Sequence, residues 1–167
     1  MSADTVVAIC ATAIAVASLT VSVIEGRASR RHNRLSVRPL LQLTTRFHPG
    51  DSAGLLLTNS GLGPAIIVKT ALWLDGKHVG EYNQANVDKV RDPLAFRPSA
   101  VTFGGRPFLA TDYSRFLLLV EPYDPDEHAE FADLLIRRLR VEIHYESLYG
   151  RENYTTSWPN RPSSGSA

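Results

Sequence analysis

Cysteine is almost missing from this chain. Cys10 is the only one in 167 residues, so no intrachain disulfide can form and any fold must be held by its core. Lysine and arginine are missing before Arg27, and neither a charged residue nor a proline interrupts Thr5–Ile24. The recognisable catalytic signatures are missing too. There is no Gly-x-Ser-x-Gly elbow and no glycine-rich phosphate loop, and Gly61-Leu62-Gly63 runs into Pro64, which has no amide to offer an anion. The acidic stretch from Glu121 to Asp133 lacks the Asp-x-Asp-x-Asp-Gly spacing of a calcium loop.

The 20-residue uncharged run is what the sequence has instead. At 1.5 Å per residue, a helix of about 20 residues crosses a ~30 Å hydrocarbon core. Residues 1–24 are therefore expected to be a transmembrane anchor. A cleaved signal peptide fits less well, because residues 1–4 carry no basic side chain and the run continues past Ala15–Ala17, the one Ala-x-Ala pattern. A buried helix of a soluble domain is the remaining alternative. Cys10, inside the run, reads as a small lipid- or helix-facing residue.

Residues 25–34 then form an arginine-rich juxtamembrane linker. Arg27, Arg30, Arg31, Arg34 and Arg38 are expected at the membrane surface, where they set topology and can pair with anionic headgroups. The positive-inside rule places the N-terminus outside and the soluble domain in the cytoplasm, at the plasma (inner) membrane. Ala11, Ala15, Ser18 and Ser22 recur at intervals of four, three and four residues. They form a small-residue stripe that would let the helix pack against a copy of itself or a partner helix, or that arises merely because the span is rich in small residues.

The rest of the chain is nearly neutral, with 13 Lys/Arg against 15 Asp/Glu over residues 39–167. Such a balance argues against sequence-independent nucleic-acid binding, which needs phosphate neutralisation. Period-two patterning predicts strands over 35–47 and 65–75; 53–59 makes a further strand, and a short one at 77–82 should follow the next turn. Asp75-Gly76 provides a hairpin turn whose central residues need positive φ. Within 65–75, Ile66, Val68, Leu72 and Leu74 are expected on one face, opposite Lys69 and Trp73. Residues 83–98 read as loop, 100–103 as a short strand and 113–121 as a strand buried on both sides. Asp124, Pro125 and Glu127 predict a capped helix over 125–137. A strand over 139–146 should turn Leu139, Val141, Ile143 and Tyr145 inward. The last strand is 151–158, and 159–167 is a frayed tail.

Seven or eight short strands with one small helix predict a mainly β fold: an immunoglobulin-like antiparallel β-sandwich over 35–158, preceded by the single transmembrane helix. The stretch Leu57-Thr58-Asn59-Ser60-Gly61-Leu62-Gly63-Pro64-Ala65 resembles the Asn-x-Gly…Ala turn of bacterial immunoglobulin-like, adhesion-type domains. Arg38-Pro39 after a basic collar, with Val141–Gly150 ending in Tyr-x-x-x-Gly, resembles short bacterial single-pass membrane proteins of unknown function. That resemblance implies an anchored domain. It specifies turns and no chemistry, and the chain lacks the Cys–Trp–Cys arrangement of true immunoglobulin domains.

Glu142, His144 and Glu146 share one strand face, with neighbours about 7 Å apart. They suit either a metal or acid/base pair or simply a solvated face. Asn153-Tyr154-Thr155 matches a glycosylation sequon by chance composition. Trp73, opposite the apolar residues of its strand, is either a partner contact or part of a half-covered second face. The function expected is that of a membrane-tethered protein-interaction module, an accessory or scaffold unit that is not an enzyme and carries no cofactor and no metal. Its partners would be the lipid bilayer and a protein, with homo-oligomerisation through the helix. The alternatives are a small metal-dependent hydrolase on the Glu142/His144/Glu146 face and a ligand-binding sensor.

Overall fold

The computed structural model describes residues 3–150 and 152–160, without some side chains of the first helix. The protein divides into two compact units, Met1–Ser36 and Val37–Ala167. The first is one helix, α1, Ala3–Ser36, so residues 25–34 are helical and not an extended link. The tail beyond residue 160 lies outside the described residues.

The expected transmembrane span is overturned. Among the described residues, no helix is long and apolar enough to cross a membrane. Half of Thr5–Ile24 is alanine, serine or threonine, each of which favours transfer into hydrocarbon less than leucine, isoleucine or valine does. The helix then continues without a break through Glu25 and Arg27. The expected fold class is corrected accordingly to a mainly β protein with, among the described residues, two antiparallel sheets and three helices. The single-pass placement in the inner membrane and the orientation argument fall with the span, and Arg27, Arg30, Arg31, Arg34 and Arg38 no longer flank one.

The second unit contains β1 (Leu41–Phe47), β2 (Ala53–Asn59), β3 (Ala65–Leu74), β4 (Lys77–Gly80), α2 (Gln84–Arg91), β5 (Ser99–Ala100), β6 (Phe108–Leu109), β7 (Ser114–Val120), α3 (Ala129–Asp133), β8 (Leu139–Glu146) and β9 (Tyr154–Trp158). A π-helical turn, Leu134–Arg138, joins α3 to β8. One sheet has the order β1-β2-β7-β5. The other has β4-β3-β8-β9, with β6 also pairing with β3. Both sheets close on one core. Leu41, Leu43, Leu55, Leu57 and Leu117 from the first meet Ile67, Leu72, Val141, Ile143 and Tyr145 from the second.

The strict alternation of β8 follows from its sequence. Leu139, Val141, Ile143 and Tyr145 are buried, and Arg140, Glu142, His144 and Glu146, which alternate with them, are partly exposed. In β3 the expected phase holds only past a bulge. Register against β8 shifts between Ile67 and Lys69, so Ala65 and Ile67 point inward, Val68 is exposed, and burial resumes at Thr70 and Leu72. The Asp75-Gly76 hairpin has φ of 51° and 76° at its two central residues. Asp124 does accept from the amides of Asp126 and Glu127, but the regular helix starts only at Ala129.

The turn after β2 is built around Asn59, which is 1% exposed. Its Oδ1 accepts from the amides of Leu40 and Gly61, both at 3.1 Å. Its Nδ2 donates to the carbonyls of Gly63 (2.9 Å) and Ala110 (3.0 Å). Every hydrogen-bonding position of the amide is thus used. Gly63 must be glycine for room, since a Cβ there would lie 1.7 Å from the Val37 carbonyl oxygen.

Candidate functional site

The outer face of the second sheet collects the chemistry-bearing residues that the sequence singles out. Cross-strand register decides who meets whom. Trp73 on β3 stands opposite Arg140 on β8 and His78 on β4, while His144 stands opposite Thr155 on β9. The Trp73 ring is therefore half-buried. The Arg140 guanidinium lies over it at 4.6 Å and the His78 ring sits 5.2 Å away. Trp73 is held within its own sheet and does not stand free as an anchor.

Arg140 also pairs with Glu142 (Nη2 to Oε2, 3.0 Å), and the other carboxylate oxygen lies 2.7 Å from His144 Nε2. His144 Nδ1 is 3.2 Å from the Thr155 hydroxyl. In the neutral ring, Nε2–H then donates to Glu142 and Thr155 donates to Nδ1. Glu146 does not join this chain. Among the described residues, no group of three or more His, Cys, Asp or Glu side chains could hold a metal ion. The trio of the metal-dependent alternative is thus a pair, already bonded to each other, with its third member apart.

Beside this face runs a groove of about 1010 Å³, lined by β1 and β9 and by the outward residues of β8. Each of β1 and β9 pairs on one side only, so both are edge strands. Arg38 lies in the wall of the groove, its guanidinium 4.7 Å from the centre of the Tyr154 ring. Tyr154 packs in turn on Tyr145 at 5.4 Å. The Tyr145 hydroxyl accepts from the Leu41 amide at 3.2 Å, and burial raises its phenol above the ordinary value. Asn153 and Thr155, two members of the sequon, also line the groove.

The sequence missed the Arg38–Tyr154 stack because the two residues lie 116 positions apart and neither belongs to a motif. On α1, Arg27 is exposed, whereas the side chains of Arg30, Arg31 and Arg34 lie outside the described residues. Ala11, Ala15, Ser18 and Ser22 are all exposed, and the Ser22 hydroxyl donates to the Ser18 carbonyl of its own helix at 2.9 Å.

The model of one family, described as Domain of unknown function (DUF8453), matches residues 3–163. The chain belongs to that family. The DUF8453 match runs through both units, so α1 is part of the shared pattern. No curated protein and no solved structure matches the chain.

Proposed function

We propose that the protein is a non-catalytic recognition module, an accessory or scaffold unit that binds an extended, carboxylate-bearing segment of a protein partner along the β1–β9 groove. One observation carries the reading. Arg38 is pinned on Tyr154 in the groove wall, and no carboxylate pairs with it among the described residues. The one acid of the groove, Glu142, is already engaged by Arg140 and His144. The net offer to a ligand is therefore a fixed guanidinium, which is suited to bidentate carboxylate recognition, flanked by amide and hydroxyl side chains and two unpaired strand edges.

The test is selection of a random-peptide library on the immobilised full-length protein. Enriched peptides should carry Asp or Glu, and R38E should lose them while keeping its melting temperature. Peptides enriched without acids, or bound equally by R38E, would defeat the proposal.

A further inference from the structure

A second cleft, of about 560 Å³, shares no lining residue with the groove. It lies between the 49–50 turn, the 96–99 segment and the stretch from Leu119 to His128. Its size is in the usual range for small-ligand sites. Three rings form its apolar wall. Phe96 meets the His128 ring edge-on at 4.5 Å, and His128 stacks with Tyr123 at 5.9 Å. His128 is fixed by its backbone neighbour, since the Asp124 amide donates to Nδ1 at 2.9 Å.

The charges around this wall are mostly negative. Glu121, Asp124 and Glu127 line the cleft and are exposed. Asp124 accepts from the amides of Asp126 and Glu127, which hold its carboxyl below the usual carboxylate range. Arg97, the single cation in the lining, is turned to other partners: its guanidinium pairs with Asp88 at 3.0 Å and Asp92 at 3.5 Å. The Glu121 and Glu127 carboxylates have no such partner among the described residues.

We infer that this cleft binds a small alkylammonium ion, with its methylenes against Phe96 and His128 and its charge toward Glu121 and Glu127. Aromatic walls with carboxylates at the mouth favour a cation carrying apolar surface over either a bare metal ion or a neutral molecule. The site is separate from the β1–β9 groove and stands or falls independently of it.

The test is a titration of the full-length protein with 1,5-diaminopentane at low salt, read by NMR at the His128 and Phe96 ring protons. The diamine should give saturable shifts, and 1,5-pentanediol, of similar length but neutral, should give none. The double variant E121Q/E127Q, altered only at exposed positions, should keep the melting temperature and weaken the diamine by roughly tenfold or more. The inference is overturned if the diol shifts the rings as strongly, if the double variant binds unchanged, or if no saturation appears below about 10 mM, an affinity too weak for recognition.

Discussion

Replacing Tyr82 with phenylalanine should reverse its effect on stability as pH rises. Tyr82 is 1% exposed, and its hydroxyl donates to the Leu117 carbonyl at 3.0 Å. That carbonyl also accepts from the Val101 amide at 3.0 Å, so the variant does not orphan it. At pH 7 the loss is one neutral hydrogen bond, about 1 kcal/mol. Burial pushes the Tyr82 phenol well above its ordinary value of 10.0, so in the folded protein it stays protonated through strong alkali. A phenol raised in this way lends its full stabilisation below the unfolded value and loses it progressively above. There the unfolded chain releases a proton that the folded one keeps. Wild type therefore loses about 1.36 kcal/mol per pH unit from this one group, and Y82F does not. Tyr113 and Tyr145, also raised by burial, are present in both proteins and cancel in the difference. The two stability curves should cross at roughly pH 11, where the ionisation loss equals the lost bond. Urea unfolding followed by tryptophan fluorescence from pH 7 to 11.5 measures this. A difference between the proteins that stays constant with pH would refute the reasoning.

Asn59→Ala strips partners from two amides and two carbonyls in a buried turn, and should cost about 3 kcal/mol in urea unfolding. A loss under 1 kcal/mol would mean that water replaces the amide. The Asp75 carboxyl is held below its ordinary value first by its hydrogen bond to Arg138, with both carboxylate oxygens bonded at 2.8 Å. Its contribution is present above pH 3.8 and is lost as pH falls through the lower folded value. Carboxyl NMR titration should show that midpoint rising in R138Q, and an unmoved midpoint would remove the pairing as its cause. A chain beginning at Val37 should still unfold cooperatively, because every residue of the core cluster lies between Leu41 and Tyr145. A broad, non-cooperative melt of that chain would show that α1 is needed for the fold.

How much of this was legible in the sequence depends on the length scale of the signal. β2 and β8 begin and end where the sequence places them; in β8 burial on one face writes itself into alternate residues, whereas β2 is buried on both faces. The Asp75-Gly76 turn was equally local. α2 was read as loop. Its helical signal is thin: the Asn83 cap, with its side chain accepting from Asn86, and two buried valines, Val87 and Val90, on about two mostly polar turns. The β3 bulge was invisible because a single inserted residue leaves the hydrophobic count unchanged while inverting the faces before it. The anchor reading rests on an uncharged run whose alanine, serine and threonine make insertion favourable but not strongly so. At the candidate site, the Glu142–His144 face was read correctly as a face. Its wiring was not, since the His144–Thr155 bond depends on β9 register and Arg38–Tyr154 on the approach of two sheet edges.

That approach also supports the proposed role of the groove in recognition. Its walls are fixed by buried and part-buried contacts made elsewhere. Asn59 holds the Leu40 amide and Tyr145 the Leu41 amide, and Trp158 Nε1 donates to the Leu135 carbonyl at 2.7 Å, tying the end of β9 to the turn after α3. Arg38 and Tyr154 are therefore carried on backbone that is already ordered. Side chains and loops that must be ordered on binding each subtract about 0.5–1.5 kcal/mol from affinity. A guanidinium carried just before β1 and stacked on a ring of β9 avoids much of that loss.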